Sequence, residues 1–130
     1  MAKFDNGKEP KPIEMQVDYK RVNTFLSDYC KNISRNYTFI KTHNPLAVGT
    51  QFIFKISVPN LPDTIILKGS VKRVITEQDT EEGKNPGMEI SFEYDSEAEK
   101  ARLFARIEKL IDENFGEAIG EKIRQYLSSR

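Results

Sequence analysis

The chain is poor in the residues that most protein chemistry needs. Its one cysteine, Cys30, excludes an intramolecular disulfide, fits a reducing compartment, and has no histidine or basic cluster nearby in sequence to activate its thiol. The one histidine, His43, sits in the turn KTHNPLAVG without a sequence-evident orienting partner, so it reads as a loop residue rather than a general base. There is no glycine-rich phosphate cradle, no nucleophile with its base, no paired carboxylates and no register of metal ligands. The expectation is therefore no catalytic residue, no metal and no enzyme. Excess charge of either sign is missing as well. Twenty Lys and Arg cancel twenty Asp and Glu, which leaves no global field to attract nucleic acid or an anionic membrane, so any anion site must be local. No segment approaches the ~20 uncharged apolar residues of a membrane span, and the opening MAKFDNGKEPKPIEM has no apolar run of signal-peptide length. A soluble, cytoplasmic protein without membrane insertion or nucleic-acid binding is expected.

What the chain does have is alternation. In QFIFKISV, residues 51–58, Phe52, Phe54, Ile56 and Val58 fall on one face of a strand and Gln51, Ile53, Lys55 and Ser57 on the other. A reversal through Pro59, Asn60, Pro62 and Asp63 leads to a second strand with Ile65, Leu67, Gly69 and Val71 inward. Its alternation slips at Val74 and Ile75, the mark of a bulge. Glu77 to Pro86 reads as an exposed acidic loop, and Met88, Ile90, Phe92 and Tyr94 then resume an inward face. Thr38 to Thr42 is a further extended segment. Lys20 to Lys31 mixes turn formers with Val22, Phe25, Leu26 and Tyr29 and is read as a turn followed by a short strand. Several short alternating strands separated by turns predict a mainly β domain, a small antiparallel barrel that leaves no sticky edges.

At residues 32–50 the chain resembles the PilZ domain, a bacterial module whose mark is Asp/Asn-x-Ser-x-x-Gly, an apolar strand, and then Pro-Leu-x-x-Gly-Thr. Here these are Asn32-Ile33-Ser34-Arg35-Asn36-Tyr37 and Pro45-Leu46-Ala47-Val48-Gly49-Thr50. Pro86-Gly87-Met88-Glu89-Ile90-Ser91-Phe92 is similar to the closing strand, so the likeness covers about residues 17 to 95. It implies a PilZ-like β-barrel with a long C-terminal α-helix, and a place in bacterial cyclic di-GMP-associated signalling of motility, pili or polarity. Two departures stand out. Tyr37 replaces the family's glycine, and the upstream Arg-x-x-x-Arg that clamps the nucleotide's phosphates bidentately is missing. The resemblance therefore implies an adaptor that holds a protein partner and takes no cofactor. The alternative it leaves is a cyclic di-GMP receptor with an altered motif, in which Asn32, Ser34, Arg35 and Tyr37 meet the nucleotide and Lys20 and Arg21 stand in for the clamp. For the adaptor, the contact candidates are Arg35, Asn36, Tyr37 and Lys41.

Residues 1–12, with Lys3, Lys8, Lys11, Pro10, Pro12 and Gly7, predict a flexible arm ahead of a single domain over 13–130. At the other end, Ser96 followed by Glu99 is a capping-box pattern that starts a helix over about 97–127. Leu103, Phe104, Ile107, Leu110, Ile111 and Phe115 form its apolar stripe, continued by Ile119, Ile123, Tyr126 and Leu127. Gly116 and Gly120 predict a kink or a break near residues 114–120. If the second half projects from the barrel, Ile119, Ile123, Tyr126 and Leu127 become a surface for self-association or a protein partner; if it folds back, they join the core.

Overall fold

The computed structural model describes residues 11–80 and 85–128 of the chain. Residues 1–10 of the expected arm and part of the acidic loop lie outside the described residues. Five strands form one sheet: β1 (Ile13–Asp18), β2 (Tyr37–Lys41), β3 (Gln51–Ser57), β4 (Ile65–Ile75) and β5 (Gly87–Glu93), in the spatial order β1-β3-β4-β5-β2. Among the described residues the sheet curls into a half-barrel. The alternation works as expected. Phe52, Phe54 and Ile56, then Ile65, Leu67 and Val71, then Met88, Ile90 and Phe92 are buried on the inner face, while the residues between them turn outward.

Two expectations are corrected here. The sheet is not all antiparallel, because β1, which alternation did not single out, pairs parallel to β3 with Met15 beside Phe54 and Val17 beside Ile56. The stretch read as turn and strand is a helix, α1 (Val22–Lys31). Val22, Phe25, Leu26 and Tyr29 recur at the i, i+3, i+4, i+7 spacing of one helical face, and all four are buried. The start signal is what the sequence withholds. Arg21 occupies the N-cap position and makes no side-chain cap, so nothing local announces the helix. With α1 included the described residues are 41% helical and 32% strand, a mixed architecture rather than a mainly β one.

Helix α1 leaves the end of β1 and delivers the chain to β2, the two edge strands. Ten residues of helix are ~15 Å long, enough to cross the mouth of a curled sheet. Its buried face and that of α2 (Glu97–Phe115), with Ile107, Leu110 and Ile111, share one hydrophobic core with the inner face of the sheet. The start of α2 is as the sequence implies, with the Glu99 amide donating to Ser96 Oγ at 3.1 Å. It ends at Gly116, whose φ of 87° breaks the helix, and α3 (Glu117–Ser128) folds back along it. Gly120 is buried at this crossing, where a side chain would overlap the Asp112 carboxylate. That carboxylate is held by Arg124 Nη1 at 2.8 Å, and Arg124 Nη2 also reaches Glu121 at 3.2 Å. Ile123 and Leu127 consequently pack against the core, whereas Ile119 and Tyr126 face outward at 47% and 57% exposure. Among the described residues no helix is long and apolar enough to cross a membrane.

Three tyrosines tie the helices to the sheet. Tyr29 sits edge-on to Phe104 at 5.5 Å, Tyr94 edge-on to the same ring at 6.1 Å, and Tyr19 donates to Asp28 at 2.7 Å. Burial raises all three phenols above their ordinary value; Asp28 adds to the rise at Tyr19 and the charge of Glu108 to that at Tyr29, while Tyr94 is pushed up to about 12. The folded chain therefore holds these protons after the unfolded chain begins to lose its own near pH ~10. Stability is expected to be intact below pH ~10 and to fall as pH rises toward ~12, because the unfolded state then binds fewer protons than the native one. Urea melts at stepped alkaline pH check this; a midpoint that stays flat from pH 9 to pH ~12 would contradict it.

Candidate functional site

The segment from Asn32 to Tyr37 folds as a hand-off from helix to strand. Asn32 caps the C-terminus of α1, its amide donating to the Asp28 carbonyl at 2.8 Å, and its own carbonyl accepts from the amides of Arg35 at 3.0 Å and Tyr37 at 3.3 Å. A single 3₁₀ turn, Ile33–Arg35, follows, with Ile33 buried in the core. Asn36 closes the turn in the left-handed conformation at φ 69°, which asparagine tolerates better than most residues, and its carbonyl accepts from the Phe92 amide at 2.9 Å. Ser34 Oγ donates to the Cys30 carbonyl in the last turn of α1 at 3.0 Å, tying the turn to the helix. Turn formation thus accounts for the backbone contacts of Asn32 and for this bond of Ser34.

The outer face beside this turn is built by register. Tyr37 lies opposite Ser91 and Ser91 opposite Ser70, while Phe39 lies opposite Glu89 and Glu89 opposite Arg73. Between Val71 and Arg73 the pairing shifts, and the bulge frees Lys72 from the ladder. Arg35, Asn36, Tyr37, Lys72, Glu89 and Ser91 line one depression of about 300 Å³. Tyr37 is 36% exposed, and the Asn36 side-chain oxygen is buried without a hydrogen-bond partner among the described residues. Glu89 approaches Arg73 Nε at 3.9 Å, whereas among the described residues Arg35, Lys41 and Lys72 have no ion-pair partner. The depression therefore carries two cations without an ion pair among the described residues, together with the Glu89 carboxylate, around a tyrosine and a serine.

Of the residues singled out in the sequence, the structure gathers Arg35, Asn36 and Tyr37, with Lys41 exposed at the far end of β2. It separates the others. Lys20 and Arg21 precede α1, so the ~15 Å helix lies between them and the turn. Ser34 lines a different cavity of about 230 Å³, which also includes Tyr29, Glu108 and Arg124. Lys72, Glu89 and Ser91 were not foreseen as site residues. The lapse in alternation was read at Val74 and Ile75, and the bulge it signals lies two or three residues earlier.

His43 has a partner that the sequence did not show, its Nδ1 meeting Glu77 Oε1 across two loops, with both side chains more than 60% exposed. Such an exposed clasp adds little stability. Among the described residues no group of three or more His, Cys, Asp or Glu side chains is placed to hold a metal ion. The chain matches no protein-family model and no curated protein.

Proposed function

We propose that this chain is a non-enzymatic, PilZ-like adaptor in bacterial cyclic di-GMP-associated signalling of motility, pili or polarity, acting in the cytoplasm by contact with a protein partner and without tight nucleotide binding. The pathway rests on the sequence resemblance alone. The observation that carries the adaptor reading is the fate of the motif. Ser34 Oγ bonds back to the end of α1, Tyr37 fills the position where the family has bare backbone, and Lys20 and Arg21 stand a helix length away. A ligand at the depression would meet Arg35 and Lys72 as separate charges rather than a paired bidentate clamp.

One observation favours the alternative, a cyclic di-GMP receptor with an altered motif. Arg35 and Lys72, neither in an ion pair among the described residues, share the depression with Glu89 and with Tyr37, an aromatic ring on which a base can stack for ~1 to 3 kcal/mol. Calorimetric titration with cyclic di-GMP at physiological salt separates the two. The adaptor reading expects no heat at nucleotide concentrations well above ~10 μM, and a low-micromolar dissociation constant would replace it with the receptor. On the adaptor reading, the charge reversals Arg35→Glu and Lys41→Glu together are expected to weaken partner binding at least ~10-fold, chiefly through slower association. Both side chains are exposed, so the melting temperature should stay within ~2 °C of wild type.

A further inference from the structure

Among the described residues the sheet leaves an edge open beside the proposed contact face. Along β2 the even-numbered residues bond to β5, as shown at both ends by the Phe92 amide donating to Asn36 and the Thr42 amide to Pro86. The intervening residues therefore turn their backbone groups away from the sheet. Tyr37 uses its amide on Asn32, and among the described residues nothing bonds the outward amides and carbonyls of Phe39 and Lys41. Open strand edges are templates for another strand, and proteins usually guard them with charge.

The guard here is mainly basic, the Glu89 carboxylate in the next strand being approached by Arg73 Nε at 3.9 Å. Arg35 ends the 3₁₀ turn before β2 and Lys41 ends the strand itself, whose five residues span ~13 Å, while Lys72 lies on β4 with β5 between it and β2. None of the three is neutralised by an ion pair among the described residues. A second copy pairing β2 to β2 would bring like charges together, which disfavours that occupant. The opposite edge, β1, carries Glu14 and Asp18, but Glu14 already pairs with Lys55 at 2.7 Å.

We infer that the free edge of β2 docks an extended acidic segment of a partner protein, which adds a sixth strand through the Phe39 and Lys41 backbone and sets its carboxylates against Arg35 and Lys41. Main-chain bonds to the edge give such a complex its affinity, and the alternating side chains give it specificity. This inference rests on the adaptor reading and goes further by naming the chemistry of the partner.

The probe is a blocked nonapeptide alternating valine with glutamate, compared with its lysine counterpart, and the readout is residue-resolved amide hydrogen exchange of the full chain. The expected result is that the glutamate peptide slows exchange at Phe39 and Lys41 by ~10-fold or more, that added salt reverses this, and that the lysine peptide does nothing. Lys41→Pro removes one outward amide without touching a β2 to β5 bond and should abolish the protection. Should that variant fail to fold, Arg35→Gln with Lys41→Gln answers the charge question, with affinity expected to fall ~10-fold. Equal protection by the lysine peptide, protection only at the β1 edge, no protection at saturating peptide, or a concentration-dependent dimer that protects the same amides without peptide would each overturn the inference. A nucleotide-binding result in the calorimetry would instead overturn the adaptor reading, so the two failures are distinct.

Discussion

Gly87→Ala is expected to lower the unfolding free energy by ~2 to 3 kcal/mol, at the upper end of what one inserted methyl usually costs. Gly87 begins β5 and lies opposite Lys41, and a Cβ there would overlap the Ile40 carbonyl oxygen and approach the Phe39 ring to 2.6 Å. A side chain can swing away, but the register makes this carbonyl a ladder acceptor, so the collision is with a backbone held in the sheet. The strain is relieved only if β2 shifts off β5, so hydrogen exchange at Thr38 and Ile40 should rise together with the loss of stability. Two other glycines calibrate the effect. At Gly69 a Cβ would meet the Ile90 Cγ2 methyl at 2.7 Å and the Ser91 carbonyl at 3.0 Å, so part of the clash is with a movable side chain. At Gly49 no atom lies within 4 Å, and Gly49→Ala should cost only the ~1 to 2 kcal/mol of holding a non-glycine residue at φ +95°. Urea melts of the three variants check the order. If Gly87→Ala lost no more than Gly49→Ala, the close approach of β2 to β5 would not be what this glycine serves.

How far the molecule could be read from its sequence depended on whether the signal was local. Strands β3, β4 and β5 alternate cleanly, because one face lies on the core and the other on solvent. Ser96 and Glu99 mark the start of α2, and the break between α2 and α3 falls at Gly116, inside the interval that the two glycines indicated. The strand β1 escaped because its inward residues, Ile13, Met15 and Val17, are only partly covered at an edge, and its partner β3 lies ~40 residues away. Helix α1 was misread because its four core residues are spaced among Asn23, Thr24, Ser27 and Asp28, which favour turns, and because no cap precedes it. The candidate site divides in the same way. Arg35, Asn36 and Tyr37 are contiguous and were legible, whereas Lys72, Glu89 and Ser91 join them only through strand register and a bulge, which are products of long-range pairing.

The misread helix supports the second large effect. Phe25→Ala is expected to cost ~3 to 5 kcal/mol, a large fraction of the ~5 to 15 kcal/mol typical of a domain. Phe25 has no exposed surface, packs edge-on to Tyr19 at 5.3 Å, and lies in the core shared by the sheet and α2. A ten-residue helix is marginal on its own in water, and this one has no N-terminal cap to help it, so packing of its buried face is what keeps it formed. Truncating Phe25 therefore removes the anchor of the whole element as well as filled volume. The consequence should reach the candidate site, because the C-terminus of α1 positions Asn32, and the Asn32 carbonyl holds the Arg35 and Tyr37 amides at the rim of the depression. Chemical denaturation gives the energy, and hydrogen exchange at Arg35 and Tyr37 tests the connection. Phe25→Leu, which keeps most of the volume, should recover more than half of the loss and restore protection at both amides. If Phe25→Ala destabilised the chain but left those two amides as protected as in the wild type, the turn would be held by the sheet alone, and α1 would serve the core without positioning the site.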